Sequence, residues 1–290
     1  MAGEQLIRTM GIDTRSEMLK LEGLDIHYIK AGSGPPVLLV HGINFGWGLW
    51  YKNIPELAKY FTVYALDLPG AGGSSRINFK QTDIALLYPK VVKAFVRQLI
   101  TGDLCIVGHS VGGWLAIKLC LENSFPIKKL ALVDALGFSQ YLVWKQRLLV
   151  FSFMADFLSN TVMRPTLKNM RDFLGGVFLD VKKMPAELVE YYQKSVSVKP
   201  VSHPFRLINK LIEPFRVRPE FVFGNELNKI SQQTGIFFGE QDPLLPLKKN
   251  QPSFAKIPHQ KTFIIPLAGH VPQVENPETF NTLLVNFLKE

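Results

Sequence analysis

The stretch CIVGHSVGGW, residues 105–114, decides how this chain is read. Leu104-Cys105-Ile106-Val107 is a short apolar run of the kind that forms a core strand, and the residues from Trp114 to Leu121 follow a helical pattern. Between them stand Gly108-His109-Ser110-Val111-Gly112. A strand that becomes a helix over so few residues must bend sharply. Glycine tolerates the dihedrals and the close backbone approach that such a bend requires. Ser110 sits at the corner and is the residue to be explained.

Working outward, similar short apolar runs recur. Residues 37–40 end at His41-Gly42, 61–66 at Asp67, 130–133 at Asp134, 235–238 at Gly239-Glu240-Gln241-Asp242, and 262–265 shortly before His270. Residues 18–22 and 25–31 read as two further strands joined at Gly23. Helical patterns fall between them at 50–59, 83–100, 111–121, 248–254 and 277–288. Apolar strands alternating with helices predict the α/β class, with a mostly parallel central sheet flanked by helices. One region breaks the alternation. Residues 137–224 show helical patterns, frequent prolines, many aromatics and no convincing strand. An all-helical insertion between two parallel strands leaves from the strands' C-terminal ends, where open α/β sheets bind ligands.

Composition narrows the function class. The chain has 290 residues, 47% hydrophobic and 20% charged, which describes a globular protein and not a disordered one. A chain of this length buries roughly 75% of its unfolded surface, so it needs no staples. The two cysteines, Cys105 and Cys120, both lie in apolar segments and are expected as buried thiols, with no disulfide framework. The net charge is +9, but the cations are scattered in small groups, with no zinc-ligand spacing and no RNA-binding aromatic motif. No nucleic-acid partner is therefore expected. The most apolar helical stretch, 141–158, is interrupted by Lys145, Gln146, Arg147 and Asp156, and predicts no membrane span. A cytoplasmic location is the expectation; oligomeric state is not legible.

A parallel sheet would bring the strand ends together on one edge, where a serine, carboxylates and histidines meet. Serine is a poor nucleophile until a base takes its proton, and the base needs a partner that fixes its tautomer and stabilises its cation. Ser110, Asp242 and His270 supply these parts in the order nucleophile, acid, base. Asp134 is the alternative acid.

Taken with these residues, four further segments make the chain resemble the serine hydrolases of the α/β-hydrolase superfamily that carry a helical cap. Gly108 to Gly112 fits G-x-S-x-G, and His41-Gly42 follows an apolar strand as in the family's oxyanion loop. Asp67-Leu68-Pro69-Gly70-Ala71-Gly72-Gly73-Ser74 resembles D-x-P-G-x-G-x-S. Gly239-Glu240-Gln241-Asp242 resembles the acid-bearing turn, and Gly269-His270 with Glu275-Asn276-Pro277 resembles G-H-x-x-x-x-E-x-P. The resemblance covers nearly the whole chain. It implies an α/β-hydrolase core over 1–136 and 225–290, and a cap or lid over 137–224. It implies catalytic Ser110, His270 and Asp242, with backbone N–H groups of Ile43 and Val111 as the oxyanion hole. Phe45, Trp144, Phe178 and Val271 are expected in an apolar substrate wall. Neither a metal nor an organic cofactor is implied. Asp67 is expected to brace its own loop, His41 to hold the oxyanion loop, and His109 to pack. His27, His203 and His259 show no partner in the sequence.

Ser110 argues against epoxide hydrolases and haloalkane dehalogenases of this fold, which use an aspartate at the elbow. The expected reaction is hydrolysis of carboxylic esters with small to medium apolar acyl groups, with a lactone, thioester or perhydrolase reaction on the same serine also open. Pro165 to Leu174, Val177 to Asp180 and Glu187-Leu188-Val189 are similar to the cap of meta-cleavage-product hydrolases, which split C–C bonds in diketo acids. Three departures weigh against that chemistry. Tyr191 or Tyr192 stands where the cap arginine is expected, Val271 replaces the tryptophan after the histidine, and residues 43–48 replace a glycine-rich loop. A carboxylate dianion needs such a bidentate cation. A non-catalytic ligand receptor on the same fold is the remaining alternative.

Overall fold

The computed structural model describes residues 3–43, 45–161, 164–196 and 202–290; the side chains of Trp144, Lys145, Ser152 and Ser159 fall outside that description. The chain starts with a helix that the sequence reading did not anticipate, α1 (Glu4–Met10), whose Leu6 and Met10 are buried. Strands β1 (Thr14–Leu21) and β2 (Leu24–Ala31) form a hairpin. Its turn residues, Glu22 and Gly23, both have positive φ, the combination that matches the twist of paired strands. Then follow β3 (Pro36–Val40), β4 (Thr62–Leu66), β5 (Leu104–His109), β6 (Ile127–Val133), β7 (Gln233–Gly239) and β8 (Gln260–Ile265). Their order across the sheet is β1-β2-β4-β3-β5-β6-β7-β8. Pairing is antiparallel as far as β4 and parallel from β4 to β8.

The central strands β3 to β7 are almost wholly buried because both faces are covered, with polar residues confined mainly to their ends. Along β5, Leu104 and Ile106 enter one core while Cys105 and Val107 enter the other, as a period of two requires. The first core holds α3 (Ile84–Leu99) and α4 (Val111–Leu121); the second holds α1, α2 (Ile54–Ala58) and α11 (Pro277–Lys289). This is the mostly parallel, helix-flanked sheet expected from the sequence. Both cysteines are free and buried.

Between β6 and β7 the described residues contain no strand, only the single bridge Ile212–Val217. The helices there are α5 (Ser152–Asn160), α6 (Leu167–Leu174), α7 (Ala186–Ser195) and α8 (Pro204–Leu211), with 3₁₀ turns between them. They divide between the two cores. Ala155, Leu207, Ile208 and Leu211 join the first, whereas Met170, Leu174, Leu188, Tyr191 and Tyr192 join the second.

The bend after β5 is sterically determined. A Cβ on Gly108 would lie 2.4 Å from the Gly112 carbonyl oxygen, one on Gly112 2.3 Å from that of Val40, and one on Gly113 2.3 Å from the Ala135 Cβ. Gly108→Ala is therefore expected to destabilise the fold by about 1–3 kcal/mol through overpacking. The readout is a lower urea midpoint at an unchanged denaturant slope.

Candidate active site

The bend places Ser110 in a backbone conformation that side chains rarely adopt, with φ 52° and ψ −116°. Its surroundings hold it there. The Ser110 N–H donates to the Val133 carbonyl at 3.0 Å, and its own carbonyl accepts N–H groups from Gly113, Trp114 and Leu136 at 2.9, 3.1 and 3.0 Å. Strain of this kind persists only where neighbouring structure over-determines it. Helix α4 starts at Val111, and the first N–H groups of a helix have no partner within it.

His270 stands after β8. Its Nδ1–H donates to Asp242 Oδ2 at 2.7 Å, which leaves Nε2 free to accept a proton. Asp242 Oδ1 accepts the backbone N–H groups of Leu244 and Leu245 at 2.7 and 2.9 Å. Burial would raise the Asp242 carboxyl, but the His270 charge and hydrogen bond, the Leu245 N–H and the neighbouring Asp134 outweigh it and hold it below its usual range. Asp134, the alternative acid, is not the partner of the His270 ring; its Oδ1 accepts the Gly239 N–H at 3.0 Å. Burial and the Asp242 charge push its carboxyl well above the ordinary carboxylate range. The ligand-type atoms of Asp134, Asp242 and His270 lie within 4.8 Å of one another.

Buried polar groups fix the loops around this relay. Asp67 Oδ1 accepts the Trp47 N–H at 2.6 Å, and Oδ2 accepts the Gly73 N–H at 2.8 Å and His27 Nδ1–H at 2.7 Å. His27 Nε2 in turn meets Ser16 Oγ at 2.9 Å, so a histidine without a partner in the sequence ties the β1–β2 hairpin to the loop after β4. His41 Nδ1–H donates to the Gly42 carbonyl and Nε2 accepts the Leu68 N–H at 2.9 Å. Two contacts had no signal in the sequence reading. His109 Nε2–H donates to the His270 carbonyl at 2.7 Å, with the two rings 4.9 Å apart. Burial and the nearby His270 lower His109 to about 3, which keeps it a neutral donor. Glu275 Oε2 accepts the Gly269 N–H at 2.7 Å and Oε1 the Leu179 N–H at 2.7 Å, while the His270 N–H donates to the Val177 carbonyl at 2.9 Å. The inserted segment is thereby bonded directly to the loop that carries His270.

Ser110, Val111, Ile43 and His270 meet at a cavity of about 60 Å³. Its walls are Leu136, Tyr141, Leu142, Gln146, Ile208, Leu211, Ile212, Val217, Leu244 and Leu245, and no Lys or Arg is among the described residues lining it. Phe45, Phe178 and Val271 do not line it and are corrected accordingly. All three are buried in the second core, Phe45 against His109 and Tyr192, because α6 and α7 pack on the side of the sheet away from the cavity. The Trp144 side chain lies outside the described residues. Tyr191 and Tyr192 are likewise buried, against Trp47 and Phe45. A larger open groove beside Tyr51, Lys52 and Glu187 contains none of the relay residues, so the chemistry is assigned to the smaller cavity.

Comparison with known proteins agrees with the fold. The family described as alpha/beta hydrolase fold matches residues 35–277. A 2-hydroxy-6-oxononadienedioate/2-hydroxy-6-oxononatrienedioate hydrolase of Paraburkholderia phymatum is 26% identical over 280 residues, covering 92% of this chain and 93% of that one. A pimeloyl-[acyl-carrier protein] methyl ester esterase of Vibrio atlanticus is 22% identical over 267 residues, covering 91% and 98%. The crystal structure of the carboxylesterase CesB of Bacillus subtilis superposes with a TM-score of 0.78 at 18% identity, covering 99% and 95%.

The raised Asp134 carboxyl has a measurable consequence. Its folded form keeps a proton that the unfolded chain releases near pH ~3.9. Above that pH the native state binds more protons than the unfolded state, so this group's contribution to stability falls as pH rises. Asn at this position has no proton to lose. Asp134→Asn is expected to gain stability relative to wild type as pH is raised from acid toward neutrality, in paired urea melts. A gap that stays constant with pH would mean that folding does not raise the Asp134 carboxyl.

Proposed function

The chain belongs to the alpha/beta hydrolase fold family, and we propose that within it the protein is a carboxylesterase-type serine hydrolase acting on esters of small to medium apolar acyl groups. The observation that carries this reading is the cavity itself: it holds Ser110 and His270, its walls are mostly aliphatic with Tyr141 and Gln146 among them, and no cation is among its described lining residues. An uncharged acyl chain fits such walls, whereas a carboxylate substrate would be buried without a partner, which is costly.

In the proposed reaction, Ser110 Oγ attacks the acyl carbon as His270 Nε2 takes its proton. The oxyanion forms within reach of the Ile43 and Val111 N–H groups, each donor being worth roughly 3 kcal/mol in such sites. The Asp242 carboxylate keeps the His270 proton on Nδ1 and stabilises the imidazolium. His270 then protonates the departing alcohol, and a water activated by the same nitrogen releases the acid. His109 acts as a positioning residue through the His270 backbone. The helical insertion serves as the cap that shapes the acyl site.

A second reading, C–C bond hydrolysis, is favoured by the hydrolase activity of the Paraburkholderia relative and by the similarity of residues 165–189 to meta-cleavage caps. The first experiment is hydrolysis of p-nitrophenyl esters from acetate to laurate by wild type and Ser110→Ala. Wild type is expected to turn over the shorter esters and the variant to lose at least about 10³-fold. Equal rates would remove Ser110 as the nucleophile. Inert esters together with turnover of a dienoate diketo acid would establish the C–C reading instead.

A further inference from the structure

The outer surface of the insertion is more apolar than its interior face requires. On α5, Ala155 is fully buried while Phe153 and Phe157, four residues apart on the helix, are 67% and 57% exposed. Leu148 and Phe151 just before the helix are also exposed, and the Phe151 and Phe153 rings lie 5.9 Å apart. Phe215, 77% exposed, reaches the same surface beneath the Arg147 guanidinium, 5.9 Å away. Isolated exposed hydrophobics are ordinary, but a contiguous group of this size marks an interaction site.

Charge identifies what the group meets. In the sequence from 141 to 168, Lys145, Arg147, Arg164 and Lys168 accompany a single acid, Asp156. That acid is bound from below by Arg206 and by Lys80. Arg147 and Arg164, both exposed, flank the two ends of α5, with Arg164 bonded to the Asn160 carbonyl at its C-terminal end. Arg216, exposed next to Phe215, is already paired with Glu213 at 2.8 Å, so Arg147 and Arg164 are the cations offered here. Exposed aromatics flanked by arginines fit a negatively charged bilayer, where rings sink to the headgroup boundary and cations meet the phosphates. Two copies of the chain joined face to face about a two-fold axis would instead bring these cations against one another.

The position of the surface gives it a use. The same segment lines the Ser110 cavity from inside through Tyr141, Leu142 and Gln146, and Asn209 of α8 holds it by hydrogen bonds to the Leu149 and Val150 carbonyls. This segment therefore forms one wall of the cavity that holds Ser110 and His270. We propose that the Leu148–Phe157 face, with Phe215, docks the protein on anionic phospholipid bilayers and presents the Ser110 cavity to membrane-borne substrate. Docking does not depend on which bond Ser110 cleaves.

The test separates docking from catalysis by using Ser110→Ala, which binds without turnover. Phosphatidylcholine vesicles with and without phosphatidylglycerol are sedimented with Ser110→Ala and with Ser110→Ala/Phe153→Ser/Phe157→Ser. The first protein is expected to partition onto the anionic vesicles, less so at high salt, and the second to lose roughly tenfold or more of that affinity. Phe153→Ser/Phe157→Ser with Ser110 intact is checked for unchanged circular dichroism and thermal midpoint, so that a lost affinity is not a lost fold. Equal partitioning of the two proteins, or none by either, would overturn the proposal. So would a wild-type dimer in sedimentation velocity that the paired serine substitutions dissolve without any vesicle uptake, which would assign the face to self-association.

Discussion

Close backbone packing at the end of β5 is the constraint on which the rest of this site depends. Three glycines, at 108, 112 and 113, let the strand, the following helix and the neighbouring strand ends approach to distances that no Cβ would permit. Ser110 is forced into its unusual dihedrals by that approach and held in them by hydrogen bonds to β6 and α4. The corner puts a hydroxyl, the first N–H of a helix and an adjoining loop into the same small volume without any of them being separately engineered. Rigidity is inherited from the central strands β3 to β7, which are almost wholly buried.

Buried carboxylates then do for the loops what the glycines do for the turn. Asp67 and Glu275 each gather backbone N–H groups from segments far apart in sequence, and Asp242 gathers two from its own turn. A buried charge is tolerated only when hydrogen-bonded, so each acid makes the geometry of its loop nearly obligatory. Asp134 follows a different course. Buried beside Asp242, its carboxyl is raised by desolvation and by that neighbouring charge, since two adjacent buried carboxylates cannot both ionise cheaply.

The strands, the elbow and the Asp242–His270 pairing were legible in the sequence because they rest on short-range signals: apolar runs bounded by glycine, and residue types at strand ends. What escaped was long-range. Phe45, Phe178 and Val271 were apolar residues near the motifs, and nothing in their spacing tells which side of the sheet they face. The side is set by how α6 and α7 pack, which is a property of the assembled chain. Likewise His109 and Glu275 act through backbone atoms of distant loops, and a carbonyl or N–H leaves no mark in the sequence. Helix α1 was missed for a related reason: its seven residues are stabilised by docking Leu6 and Met10, not by a long periodic pattern.

The hydrogen bond from His109 to the His270 carbonyl joins residues 161 positions apart. Read along the direction of synthesis, this separation imposes an order on the birth of the site. The glycine corner, the oxyanion loop and the Asp67 brace all lie in the first 136 residues and emerge early, whereas Asp242 and His270 arrive with the last two strands. Domains fold as units during synthesis, N-terminal parts first. A nascent chain therefore carries its serine for most of translation with neither base nor acid beside it. In the proposed mechanism Ser110 gains its base and acid only when β7 and β8 complete the sheet, so a product truncated before them would keep the corner without the pair that activates it.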